Sequence, residues 1–456
     1  MPEEWHPARL IPTAGIRGEE ERERRATSSL LAVMGAVPAF GQAILAELDA
    51  PRGRISTFAE VQLKDANGKV SIPDGAIVVE RGKTRWRCLL EVKTSGAPLK
   101  AEQVNRYLDM GREHDFDAVL TISNQITAEP TESPVAVDGR KSRKVGLFHL
   151  SWWRVITEAI VQHRFRGIED EDQAWILGEL IAYLDHEKSG ASGFQDMGDK
   201  WVGVRNAAAA GTLRATNPEA RRVAERWDQF VDYLSLGLSQ DLGRDVKPVR
   251  QRKQTSEVRL DATAQELAEA GTLQGTIKVP DAVGPITVQA DLRTRKVSTS
   301  VTVDAPREGR PLTRVKWLLK QLPDAPNDLR VDVSFSGSRE TTSLLLQEAR
   351  EYPQRLLSSS DAKRDPRGVV LTLTRPMGTK RGKGEQSFVL ETRQQAVDFY
   401  RRIVQGLRPW QATAPRLPAE PEDVPESAEA EPPPFSADSE REPGDAVDPQ
   451  DPSRPS

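Results

Sequence analysis

Cysteine is nearly missing from this chain: one residue, Cys88, in 456. That count excludes a disulfide framework and a cysteine-ligated zinc site, and it fits a reducing, cytoplasmic setting. Histidine is scarce as well, at five. His149, His163 and His186 share no metal-ligand spacing and receive no role. No apolar run approaches the roughly 20 residues needed to cross a bilayer, and no secretory leader pattern precedes the first helical stretch, so no membrane partner is expected. Charge of one sign is lacking too, with a formal net charge of −4. No global positive field therefore draws nucleic acid to the surface, and any such surface must be local.

What is present centres on Glu60–Tyr107. Two apolar runs flank the turn Arg81-Gly82-Lys83-Thr84, whose Gly-X pair suits a two-residue hairpin. Pairing Arg81 with Thr84 carries Asp74 opposite Glu91. Directly opposed residues share a face, with Cβ atoms roughly 4.5–5.5 Å apart, and Lys93, two residues on, points the same way. Two carboxylates and an ammonium are thus predicted in one cluster. Opposed carboxylates destabilise a strand pair, unless a hard divalent cation sits between them. Mg²⁺ takes oxygen ligands, commonly one or two carboxylates with water and substrate phosphate. Such an ion activates water and offsets phosphate charge, while a lysine can stabilise charge that develops during hydrolysis. The plainer account is a salt-bridged hairpin, with Lys93 on Glu91 and Asp74 capping a turn.

The surrounding pattern gives a helix from Gly18 to about Leu48, broken or kinked at Pro38. Its stripe of Ala26, Leu30, Val33 and Val37, extended backwards, brings Glu23 and Glu19 onto the inner side. Strands follow at 54–64, around Asp74 and around Glu91, with a turn at Asp65–Gly68. A helix runs from Pro98 to about His114, with Pro98 in its first turn, and Gln103 and Tyr107 share one of its faces. Strands at 117–123 and 144–150 and a helix from near Trp152 complete the unit.

This order and these residues resemble the PD-(D/E)XK nuclease superfamily over about residues 18–150. Pro73-Asp74 matches the PD element, Glu91-Val92-Lys93 matches EXK, and Gln103-x-x-x-Tyr107 is similar to the QxxxY motif of the RecB-like branch. The resemblance implies a restriction-endonuclease-like α/β core, with a mixed central sheet flanked by helices. It implies Mg²⁺ or Mn²⁺ held by Asp74, Glu91 and the Val92 carbonyl, Lys93 serving the nucleophilic water, and Gln103 and Tyr107 bracing the lysine or contacting phosphate. It departs from the branch in lacking a histidine in the first helix, where Glu23 is the candidate replacement. The implied activity is metal-dependent hydrolysis of nucleic acid, DNA preferred over RNA. The alternative is a catalytically silent scaffold that binds nucleic acid or a protein, in stress or phage defence.

Residues 1–165 are read as this nuclease-like domain, with an irregular arm over 1–18, and 166–250 as a helical segment. Helices are expected at Asp172–His186 and Pro218–Leu238. Trp152, Trp153, Trp175, Trp201 and Trp227 are read as core rather than as base-stacking platforms. A basic linker, Lys247–Thr255, leads to a second α/β domain over 256–410 that recognises substrate or a protein partner. Its strands are expected at 273–279, 286–292, 297–303, 329–335, 369–374 and 386–391. Its helices are expected around Val315–Leu319, at 342–357 and from Arg393 to about Leu407. Arg314, Lys316, Lys320, Lys380, Arg381 and Lys383 are read as a solvated charged face rather than a phosphate dock. Residues 411–456, rich in Pro, Glu, Asp and Ser, cannot bury a core and are expected to be disordered.

Overall fold

The structure, a computed structural model, describes residues 10–11, 18–65, 68–191, 193–251, 254–357, 364–382 and 384–411. The expected disordered tail lies outside the described residues apart from Gln411, as do most of the N-terminal arm and Lys383. Because the tail's composition offers little apolar surface to bury, deleting residues 412–456 is expected to leave the melting temperature unchanged by calorimetry. A fall of several degrees would show that the tail packs on the folded part.

The first helical stretch divides at Pro38 as its chemistry requires, since proline supplies no N–H to the preceding turn. Helix α1 spans Glu19–Ala36 and α2 spans Pro38–Ala46, bent 109° from each other. Among the described residues no single helix is long and apolar enough to cross a membrane. Strand β1 (Arg54–Ala59) follows, then a two-rung hairpin of β2 (Leu63–Lys64) and β3 (Val70–Ser71). The strand expected through residue 64 stops at Ala59 because Glu60 takes a positive φ of 50°, which an extended ladder cannot continue.

Strands β4 (Gly75–Arg81) and β5 (Thr84–Val92) form the hairpin read from the turn. Arg81 pairs with Thr84 and Gly75 with Leu90, so the register places Asp74 opposite Glu91. Helix α3 (Ala101–Glu113) comes next, capped by Lys100. Pro98 therefore precedes the helix instead of opening it. Strands β6 (Ala118–Ser123) and β7 (Gly146–Ser151) then run parallel to β5. The sheet order is β1-β4-β5-β6-β7, antiparallel from β1 to β5 and parallel beyond. One face carries Ile77, Val79, Cys88, Leu90 and Val92 against α1, α2, α4 (Trp152–Val161) and α5 (Glu171–Asp185). The other carries Ala76, Leu89 and Val119 against α3. Alternation along a strand puts Asp74, Glu91 and Lys93 on this second face, at the end of the hairpin.

Helices α6 (Trp201–Ala209) and α7 (Pro218–Leu242) join a second core, together with the C-terminal sheet. The segment 166–250 thus contributes α5 to one core and α6 and α7 to the other. Four of the five tryptophans read as core are packed, but Trp175 is 56% exposed on α5. The basic linker is laced down rather than free. Its Lys247–Pro248 forms β8, and Arg250 donates to Asp232 of α7 at 2.7 Å. Beyond it come α8 (Ser256–Glu269), β9 (Thr272–Lys278), β10 (Ile286–Asp291), β11 (Lys296–Asp304), α9 (Pro311–Leu319) and β12 (Arg330–Phe335). After these come β13 (Thr341–Leu345), α10 (Leu346–Glu351), β14 (Pro366–Pro376) and α11 (Phe388–Arg402). The strand order is β13-β12-β14-β11-β10-β9-β8.

Two expectations are corrected here. The helix read over 342–357 begins as strand, because Thr341–Leu345 alternates in burial at the sheet edge. The strand read over 386–391 is the start of α11. Ser387 caps it by accepting from the Leu390 N–H at 3.1 Å, and Phe388, Thr392, Ala396 and Phe399 form its buried stripe. A short apolar run bounded by polar residues fits either element. The closing helix accordingly starts earlier than Arg393 and ends at Arg402.

Candidate active site

The end of the β4–β5 hairpin gathers every candidate site residue. Asp74 sits just before β4, where its carbonyl accepts from the Glu60 N–H at 3.0 Å. Its Oδ2 accepts from the Val92 N–H at 2.7 Å, which ties the two strands together past the last ladder rung. Glu91 is 1% exposed. Its Oε1 lies 2.7 Å from the Lys93 Nζ and accepts from the Gln103 Nε2 at 2.6 Å. Gln103 also donates to the Tyr107 hydroxyl at 3.2 Å, so the one-turn spacing on α3 aims both groups at Glu91. Oε2 of Glu91 is buried and has no hydrogen-bond partner among the described residues.

Lys93 is held from three directions. Its Nζ donates to Glu23 Oε1 at 2.8 Å and to the Val92 carbonyl at 3.0 Å, besides its pair with Glu91. Its backbone is fixed by its N–H donating to the Ile122 carbonyl at 2.8 Å and by its carbonyl accepting from Trp152 Nε1 at 2.9 Å. Glu23 therefore reaches the cluster, as the backward-extended stripe of α1 implied, but through the ammonium of Lys93. The next residue but one, Ser95, accepts from Arg22 at 3.1 Å, a second tie between α1 and the end of β5. Trp152, Arg22 and Ser95 were missed from sequence, because no spacing signal connects them to the motif.

Burial sets the electrostatics. It raises the Glu91 carboxyl to about 7, with the neighbouring Asp74 adding to the shift and Lys93 opposing it. Asp74 is raised by burial against the pull of the Val92 N–H, and Glu23 is raised by burial against its Lys93 hydrogen bond. Burial works against the charge of Lys93, yet Glu91, Glu23 and Asp74 together outweigh it and the ammonium is strengthened. Tyr107 is pushed up to about 12, by burial first and by Glu91 second. At neutral pH the group is one firmly protonated lysine among acids reluctant to ionise together.

A raised carboxyl pKa means that the folded state binds its proton more tightly than the unfolded chain. The stability Glu91 contributes is full below its ordinary value of 4.5 and is lost as pH rises through about 7. Glu91→Gln is therefore expected to flatten the decline in melting temperature between those pH values. A decline as steep as the wild type's would show that Glu91 titrates normally.

A cleft of about 630 Å³ opens onto Glu23 and Asp74, walled by α1 and by Glu60, Ile72 and Pro73. Arg24 lies on this wall, largely exposed, 2.9 Å from Glu20 and 3.6 Å from Glu60. No protein-family model matches the chain, and no curated protein matches it. Among the described residues no group of three or more His, Cys, Asp or Glu is arranged to hold a metal ion. The oxygen groups of the cluster are the carboxylates of Asp74 and Glu91 and the Val92 carbonyl, which keeps a second lone pair beyond its Lys93 bond. That all-oxygen set, with one buried carboxylate oxygen unpartnered, fits a hard divalent cation that completes its shell with water and phosphate.

The remaining titratable candidates have structural explanations. His149 is buried, with its ring nitrogens 2.9 Å from Thr121 Oγ1 and 2.9 Å from the Gln125 carbonyl. Burial lowers its pKa to about 4. Cys88 is buried in the sheet, where burial raises its thiol pKa. Arg314 is engaged by Asp365 and two carbonyls, and Arg381 by Asp196.

Proposed function

We propose that the protein is a metal-dependent nuclease that hydrolyses phosphodiester bonds, with DNA preferred over RNA. The observation that carries this reading is the convergence of Asp74, Glu91 and Lys93 with a buried Glu91 oxygen left unpartnered. Keeping two carboxylates together beside one ammonium is costly for a protein that needs only stability. The order of strands and helices and the placement of Gln103 and Tyr107 support a PD-(D/E)XK core of the RecB-like branch.

Asp74, Glu91 and the Val92 carbonyl are the groups that would hold Mg²⁺ or Mn²⁺. When bound, such an ion lowers the pKa of water and offsets negative charge on phosphate. Lys93, kept protonated by Glu91 and Glu23, would turn one of its three N–H groups, all engaged in the free protein, to the attacking oxygen or to the phosphate. Gln103 fixes the orientation of Glu91, and Tyr107 fixes Gln103. Arg24 can exchange its exposed acidic partners for a backbone phosphate entering the cleft, since surface ion pairs hold only weakly.

The test is a panel of end-labelled single-stranded DNA, duplex DNA and RNA incubated with Mg²⁺ or Mn²⁺. Cleavage of at least one DNA substrate, stopped by EDTA, is expected. No cleavage of any substrate with either ion, or cleavage indifferent to EDTA, would overturn the proposal.

A further inference from the structure

A second concave site lies away from Asp74 and Glu91, where α4, α7 and α11 meet. It is a cavity of about 310 Å³ lined by Trp153, Phe194, Tyr233, Leu390 and Arg393, a volume within the range of small-molecule sites. The three rings stand side by side, with one face of Phe194 covered by the Arg226 guanidinium 4.1 Å from its centroid. Trp153 and Tyr233 have centroids 4.9 Å apart, and Phe194 and Tyr233 5.8 Å apart. The wall depends on Gly193, where a Cβ would come 2.7 Å from the Trp153 ring.

Arg393 is the cation of the cavity, and Asp185 lines it as well. Its guanidinium lies 5.9 Å from the Tyr233 ring centroid, and its Nε is buried with no hydrogen-bond partner among the described residues. No carboxylate among the described residues forms an ion pair with it. A half-buried guanidinium with no ion-pair partner beside a face of rings can take an anion through its terminal nitrogens. The neighbouring groove shares Gly193, Phe194 and Gln195 with this cavity and begins at Ser95 and Gly96, two residues beyond Lys93.

We infer that this cavity binds a nucleotide, with its base against the Trp153–Tyr233–Phe194 wall and its phosphate on Arg393. Stacking on aromatic rings tolerates any base because every base has a π-face. Arginine pairs with phosphate through two parallel N–H bonds. The same chemistry is offered by a free nucleotide and by one nucleotide of a longer strand that follows the groove from Ser95.

Titration calorimetry on the full chain in EDTA separates the two sources and does not depend on the reading of Asp74 and Glu91. The probes are AMP, inorganic phosphate and an eight-nucleotide single-stranded DNA. Arg393→Gln removes the cation, and Leu390→Trp fills the mouth from a position 41% exposed. Circular dichroism and melting confirm that both variants fold. AMP binding that weakens at least about tenfold in both variants, the loss of a charge-assisted contact, establishes a free-nucleotide site. Oligonucleotide binding that weakens likewise, with AMP not bound, establishes a strand subsite. Phosphate binding as tightly as AMP would overturn the inference. So would affinities for AMP and the oligonucleotide that are unchanged in the folded variants.

Discussion

Lys93→Met is expected to eliminate cleavage and, at pH 8, to lower stability by about 3–5 kcal/mol, the cost of removing one partner from a buried ion pair. Among the described residues the lysine is the only cation in direct contact with Glu91, and it holds Glu23 as well. Without it, Glu91 at 1% exposure must either ionise uncompensated or take a proton. Acidifying the solution supplies that proton, and because Lys93 holds the Glu91 carboxyl down, its loss raises that carboxyl above about 7, so the penalty should shrink as pH falls toward 7 from the alkaline side and level off below it. The double variant Glu91→Gln/Lys93→Met should regain much of the stability and none of the activity. That pattern separates an electrostatic role from a packing role, because methionine replaces the alkyl stem without the charge. A single variant that melts like wild type at pH 8 would show that the Lys93 pairs are too solvated to matter.

Asp74→Asn is the complementary case. Asparagine keeps an oxygen for the Val92 N–H, whose bond to Asp74 is 2.7 Å in the native protein. It removes a carboxylate that burial already disfavours. Melting should therefore stay level or rise, as is common when a strained active-site charge is neutralised. Cleavage should fall by about 10²–10³-fold or more, the range lost when a preorganised electrostatic group is removed. Divalent cations should also stabilise wild type more than the variant, since binding to the native state raises apparent stability. Asp74→Ala is the poorer probe, because it leaves the Val92 N–H unsatisfied and mixes folding with function.

The site was legible where a local rule fixes geometry. A two-residue turn sets the register of both strands attached to it, so Arg81–Thr84 placed Asp74 opposite Glu91. Helical periodicity carried the buried stripe of α1 back to Glu23 and put Gln103 and Tyr107 on one face of α3. What sequence did not reveal depends on distant pairing. Trp152 reaches the Lys93 carbonyl across 59 residues, and Arg22 reaches Ser95 across 73. The second sheet joins β11 to β14 with more than sixty residues between them, and no periodicity encodes that partnership. Helix α8 went unread because its buried side chains are only Ala264 and Leu267, too sparse a stripe to stand out from its charged surface. Phe388–Leu390 was misread because three apolar residues in a row suit either period, and the Ser387 cap decides for helix.

The central claim is that Asp74, Glu91 and Lys93 form a cation-dependent hydrolytic centre. The most direct measurement is single-turnover cleavage of one end-labelled DNA by wild type and Asp74→Asn side by side, in Mg²⁺ and in EDTA, with melting curves recorded on the same samples. The account predicts cleavage by wild type in Mg²⁺ alone, a loss of at least about 10²-fold in the variant, and a variant that melts no lower than wild type. Equal cleavage by the two proteins in Mg²⁺ would contradict it.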